Sequence, residues 1–180
     1  MDEGRIIVLN GVGSVGKSSV ARAMQKLSPV PLLHVQMDSF LEMLPEALQD
    51  GPEGFAYREG PHGVQITSGP AGQRLIRGMH HAVAALAGQG NRLIFDTVME
   101  ARGMEECRRL FTPLGAFFVG LMAPLEVIEA RELARGDRMI GLARWQYGRM
   151  PEVGSYDLAI DMTQASPNAA ARQVLCLAGI

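Results

Sequence analysis

Cysteine is scarce: the 180 residues hold only Cys107 and Cys176, far apart along the chain. Neither a C-x-x-C pair nor a Cys/His metal spacing occurs, which argues against a zinc module or a disulfide-stapled fold and predicts free thiols. A basic excess is missing as well. Lys and Arg number 17 against 19 Asp and Glu, for a formal net charge of −2. A nucleic-acid surface would call for positive charge, so nucleic acid is not an expected partner. No apolar run approaches the roughly 18 residues that a membrane helix needs, so no membrane association is expected. The first residues, Met-Asp-Glu-Gly-Arg, are acidic where a secretory signal would be basic, and a cytoplasmic protein is the expectation.

What is present is an ordinary globular balance, 47% apolar and 20% charged residues. The length suits one domain spanning residues 1–180, and neither an internal repeat nor a linker divides it. Five apolar runs read as strands: Arg5–Leu9, Leu33–Met37, Arg92–Phe95, Ala116–Met122 and Leu158–Asp161. Several are near-continuous, as strands covered on both faces should be. Helical patterns follow at Ser18–Leu27, Gln73–Ala87, Pro124–Ala134 and Asn168–Leu177. Strand and helix in alternation predict an α/β fold with a parallel sheet between two layers of helices. Residues 50–70, rich in glycine and proline, interrupt the alternation and read as a long functional insertion over one end of the sheet.

The most specific motif is Gly11-Val12-Gly13-Ser14-Val15-Gly16-Lys17-Ser18, which fits G-x-x-x-x-G-K-[ST] at every fixed position. It follows an apolar strand and opens a helix, the context that gives the motif its meaning. Glycines let backbone N–H groups close on phosphate oxygens, and the helix N-terminus adds partial positive charge. The expected ATP cradle therefore comprises Gly11, Val12, Gly13, Ser14, Val15, Gly16, Lys17, Ser18 and Ser19. Lys17 is expected to reach the β- and γ-phosphates and Ser18 to ligate Mg²⁺.

Asp38 ends the second strand, on the rim where open α/β sheets bind ligands. Its bland role would be helix capping, but Ser39-Phe40-Leu41-Glu42 itself reads as a capping box, S-x-x-E, which leaves Asp38 for function. Asp96 ends the third strand in the position of an acid that holds Mg²⁺, together with Ser18. His80 and His81 lie in a helical run, one expected packed and one exposed. In the segment Arg131-Glu132-Leu133-Ala134-Arg135-Gly136-Asp137-Arg138, Gly136 reads as the helix stop. Arg135 can complement the helix dipole, whereas Arg138 lies beyond it. Both are expected as lid cations over the transferring phosphoryl group, in a lid spanning 131–150.

Together these residues resemble the chloramphenicol 3-O-phosphotransferase family, nearly end to end. The resemblance rests on Ile-Val-Leu-Asn-Gly with the motif to Ser18, on Met37-Asp38-Ser39, Gly69-Pro70 and Leu93-Ile94-Phe95-Asp96. It continues through residues 131–138 and Tyr156-Asp157-Leu158-Ala159-Ile160-Asp161. It implies a three-layer P-loop fold with a five-stranded parallel sheet in order 2-3-1-4-5, ATP with Mg²⁺, and transfer to a primary hydroxyl. By position it implies Asp38 as general base, Lys17 and Ser18 as the P-loop pair, and Arg135 and Arg138 as lid arginines. The chain departs from the family pattern at Asp96-Thr97, in place of an acidic pair, and at Met150-Pro151-Glu152.

For the acceptor, Phe40, Met43, Leu44, Phe55, Tyr57, Val98 and Met99 are expected around the rim, forming an apolar pocket. Such a pocket suits a small neutral hydroxyl acceptor, chloramphenicol or a similar antibiotic. A zeta-toxin-like or metabolic kinase with another hydroxyl acceptor is the alternative, and a nucleotide-binding switch without transfer is a third. The sequence does not set the oligomeric state, and a homo-oligomer is compatible with it.

Overall fold

Strand β1, Arg5–Asn10, is buried from its second residue to its last and forms the middle of the protein. Its side chains alternate between two cores: Ile7 and Leu9 join one, Ile6 and Val8 the other. A strand buried on both faces must be apolar at nearly every position, which explains the uninterrupted run. A computed structural model describes residues 5–60, 63–136 and 139–180.

Beside β1 lie β2 (Leu33–Gln36), β5 (Arg92–Thr97), β6 (Phe117–Met122) and β7 (Leu158–Asp161), all parallel, in the order β2-β5-β1-β6-β7. Counting only these five strands, the order is the expected 2-3-1-4-5. Helices α1 (Lys17–Leu27) and α8 (Pro167–Ala178) cover the Ile7 face, where Val20, Met24, Ala171 and Val174 are buried. On the Ile6 face, α4 (Pro70–Gly88) and α5 (Ala101–Phe111) bury Met79, Val83, Met104, Cys107 and Phe111. Burial pushes the Cys107 thiol up to about 12, so it stays protonated.

Register sets the rim. Gln36, Asp96 and Leu9 are paired across β2, β5 and β1, and Asn10 is paired with Thr97 one step further on. The chain exits toward its site from all three strands at one level. Behind this rim, the Asn10 side chain accepts from the Met99 N–H at 2.7 Å and donates to the Tyr156 hydroxyl at 2.9 Å. Asp157 accepts from the Phe118 N–H at 2.7 Å. The Tyr-Asp pair thus joins β7 to its neighbours.

Within residues 50–70, two segments pair as strands. Strand β3 (Phe55–Gly60) pairs antiparallel with β4 (Gly63–Ser68), Tyr57 opposite Ile66. The glycines that suggested a loop serve close approaches: a Cβ at Gly54 would lie 1.9 Å from the Leu48 carbonyl oxygen.

A second departure concerns Asp38. Helix α2, Met37–Leu41, begins after Gln36, with no side-chain cap, and so contains Ser39 within its first turn. The expected capping box of Ser39 and Glu42 is not formed. Asp38 itself occupies the first turn, where a carboxylate meets the positive helix end. Its functional assignment therefore rests on position alone.

Candidate active site

The turn from β1 to α1 is built around two glycines. A Cβ at Gly11 would sit 2.6 Å from the Leu121 carbonyl oxygen, so the loop can pass β6 only without a side chain. Gly16 has φ 112°, which other residues rarely adopt. Ser14 also has a positive φ, 62°, and its buried hydroxyl has no hydrogen-bond partner. Strain of this kind collects where a backbone is shaped for a ligand. Residues 13–19 face a cleft of about 1270 Å³, with Gly11 and Val12 buried beneath.

The turn brings three expected residues together. The Ser18 hydroxyl donates to an Asp96 oxygen at 2.8 Å, and Lys17 Nζ lies 3.9 Å from the other. Lys17 also donates to the Gly11 and Val12 carbonyls at 2.8 and 3.1 Å. Sequence reasoning passed over His34 and Gln36, on the same face of edge strand β2. His34 Nε2 lies 3.3 Å from Asp96, and the Gln36 amide nitrogen 3.3 Å from His34 Nδ1. A Gln36 N–H donated to Nδ1 places the His34 proton on Nε2, facing the carboxylate. Burial alone would raise the Asp96 pKa. The His34 hydrogen bond, the Lys17 charge and the Ser18 hydroxyl outweigh it and hold the carboxyl below its ordinary range. Asp96 is ionised at neutral pH, beside a hydroxyl. Mg²⁺ takes oxygen ligands, only one or two of them from protein, so Ser18 and Asp96 fit that ion.

Across the cleft, α6 (Leu125–Arg135) ends at Gly136, whose φ of 69° closes the helix as expected. Arg135 lies in the last turn and lines the cleft; Arg138 falls outside the described residues. Glu132, 4% exposed, accepts from the Gly141 and Ala143 N–H groups at 2.9 Å each and so fixes the start of α7, Leu142–Tyr147. From α7, Gln146 Oε1 accepts from the Gly13 N–H at 2.7 Å. A loop amide suited to a phosphate oxygen is thereby satisfied by a side chain of α7. Arg131 donates to the Met162 carbonyl at 2.9 Å.

The cleft is also lined by Asp38 and, as expected, by Phe55, Tyr57, Val98 and Met99. Burial, then the charges of Asp50 and Asp38, raise the pKa of Tyr57. Three expected lining residues are elsewhere: Phe40 packs against the Ile6-side core, Met43 is 66% exposed, and Leu44 lies off the cleft wall. Ile66, Ile76 and Met79 take their place, and α4 and α5 add charged side chains.

His80 is the packed histidine and His81 the exposed one. His80 lies edge-on to Phe95 and Phe111, and neither ring nitrogen has a partner. Burial lowers its pKa, against the opposing charge of Glu106 and with help from His81. Protonation is thus disfavoured in the folded state, while the unfolded chain takes up the proton near 6.5. Stability should therefore decline as pH falls below about 6.5 toward the lower folded value. Urea melts between pH 7 and 5 would show this, and His80→Leu should flatten the decline. An equal slope in that variant would assign the acid sensitivity elsewhere.

A family model described as "Chloramphenicol phosphotransferase-like protein" matches residues 4–177. A curated Mycobacterium tuberculosis (strain H37Rv) protein described as "Putative O-phosphotransferase" is 29% identical over 184 residues, covering 97% of this chain and 82% of the relative. Among solved structures, the M. tuberculosis APS kinase in complex with AMPPNP and APS superposes with a TM-score of 0.72 at 18% identity, covering 100% of both chains. A gluconokinase from Sinorhizobium meliloti superposes at 0.68 with 17% identity, covering 99% and 94%. At such identities the structural likeness shows the fold, that of P-loop kinases.

Proposed function

Because the chain belongs to the chloramphenicol phosphotransferase-like family, we propose that it transfers the γ-phosphate of ATP, bound with Mg²⁺, to a hydroxyl of a small acceptor. The observation that carries this reading is the meeting of Ser18, Lys17 and an ionised Asp96 in a cleft that Asp38 also lines. Lys17 brings positive charge to the phosphates, and the amides of residues 13–18 hold their oxygens. Ser18 and Asp96 would hold the Mg²⁺, which would supply positive charge to the phosphates. Asp38 accepts the acceptor's hydroxyl proton, and Arg135 offsets the charge that spreads over the phosphoryl oxygens, with Arg138 as its partner in the lid. The Gln146 contact with Gly13 must open as phosphate takes that amide.

Chloramphenicol or a similar antibiotic is the neutral acceptor to test first, because Phe55, Tyr57, Ile66 and Ile76 give the cleft an apolar wall. ADP release with ATP and Mg²⁺, measured across a panel of alcohols, is the test. Nucleotide binding with no alcohol phosphorylated would leave a nucleotide-dependent switch and overturn the transferase reading.

Arg135→Ala should lower turnover by about 10²-fold, the loss typical of one electrostatic stabiliser of the transition state. The KM for ATP should change little. Initial rates at varied ATP decide this: a raised KM with unchanged turnover would reduce Arg135 to nucleotide binding.

A further inference from the structure

The acceptor end of the cleft carries charges that the transfer chemistry does not use. Helix α4 lines it with Gln73, Ile76, Arg77 and His80, and α5 with Arg102, Glu105, Glu106 and Arg109. Both sets recur at three- and four-residue spacing, so each is one stripe on its helix. Across the two stripes, three guanidiniums face two carboxylates. Of the other acids here, Asp38 is the proposed base and Glu100 lies 3.7 Å from Arg149.

Arg77, Arg102 and Arg109 form no hydrogen bond or ion pair among the described residues. Glu105 and Glu106 stand at helical neighbour spacing from Arg102 and Arg109, where pairing is easy, yet no pair forms. Guanidinium forks match carboxylate and phosphate oxygens. His80, one turn beyond Arg77, gives an independent indication. It is 1% exposed and lines the same cleft, yet both ring nitrogens lack partners. A buried polar group without a partner calls for an explanation, and a polar ligand at this wall supplies one.

We infer that the acceptor bound best carries, away from its reacting hydroxyl, an anionic group, carboxylate or phosphate, received by Arg77, Arg102 and Arg109 beside His80. The inference rests on the phosphotransferase reading and narrows it. Neutral alcohols use the apolar wall but leave the arginines unpaired.

The test compares primary alcohols on one aromatic body: 4-(hydroxymethyl)benzoate, its methyl ester, and 4-(hydroxymethyl)phenyl phosphate. With ATP and Mg²⁺ saturating, kcat/KM from ADP release should favour an anionic compound over the ester by about tenfold or more, as a charge-assisted contact would give. The preferred anion, carboxylate or phosphate, identifies the source. Arg77→Ala, Arg102→Ala and Arg109→Ala should each bring the anion-to-ester ratio toward one, mainly through KM for the acceptor. Raising salt should do the same, since these groups are exposed. Equal use of ester and anions, or variants that lower both alike, would overturn the inference. Calorimetric binding of the two anions to the intact protein separates it from the transferase reading. Binding that is lost in Arg77→Ala with no transfer to any alcohol would sink the transferase reading and keep the anion site. No binding of either anion would overturn the anion site while transfer to the ester stood.

Discussion

Lys17→Ala should cut phosphate transfer by about 10²- to 10³-fold, the range seen when one preorganised charge donor is removed, and should weaken ATP binding as well. Lys17 is held by two loop carbonyls, Gly11 and Val12, and lies 3.9 Å from Asp96. In the free protein its charge is therefore already aimed into the turn that would hold the phosphates, and little reorganisation is needed on binding. Lys17 faces the cleft, so water can take up the two carbonyls it leaves; the fold should persist, and thermal melts would verify it. Asp96 would lose one of the influences that keep its carboxyl ionised. Wild-type turnover in this variant, measured by ADP release with ATP varied, would refute the assignment of the turn as a phosphate cradle.

Much of this site could be read before the fold was known, and the reason is physical. A strand buried on both faces leaves a run such as Ile6–Leu9, and a loop that passes backbone at 2.6 Å demands Gly11. Such constraints act on residue type directly. Asp96 was legible because it ends an apolar strand and no apolar pattern explains it. His34 and Gln36 were not, because the alternation of edge strand β2 matches any half-covered strand. Their role appears only when register places Gln36 opposite Asp96. Helix α5 was missed for a related reason. Only Met104, Cys107 and Phe111 are buried, a narrow stripe in an otherwise charged segment. The strand pair β3 and β4 was masked by glycines that look like loop punctuation but serve close packing. Ser39 shows the opposite error: a capping box fits the letters, but the helix begins three residues earlier, with Gln36 in the cap position and Met37 first. Cap motifs report a local preference, which tertiary context can override.

Asp38→Asn should leave ATP affinity and fold intact and lower turnover by at least about 10²-fold, the lower range for general-base catalysis. A hydroxyl is a poor nucleophile while it keeps its proton, and in phosphoryl transfer an Asp commonly accepts that proton as the oxygen attacks. Asp38 is exposed and lines the cleft in the first turn of α2, just past the end of β2. The end of β2 is level with Asp96 at the end of β5. Its negative charge is felt at Tyr57, on the β3 wall where the acceptor would lie. Two rivals compete with the base assignment. A carboxylate in a helix first turn adds some stability through the dipole, about 0.3–1 kcal/mol. That role predicts a lower melting temperature and unchanged turnover. The other rival is a place in the Mg²⁺ shell. Asp96 already holds Ser18 at 2.8 Å and is flanked by Lys17 and His34, so the two carboxylates divide most simply into metal holder and base. Response to metal separates them. If turnover of Asp38→Asn returns as Mg²⁺ is raised, Asp38 belongs to the metal shell. If it stays low at every Mg²⁺ concentration while Asp96→Asn is partly rescued, Asp38 takes the proton.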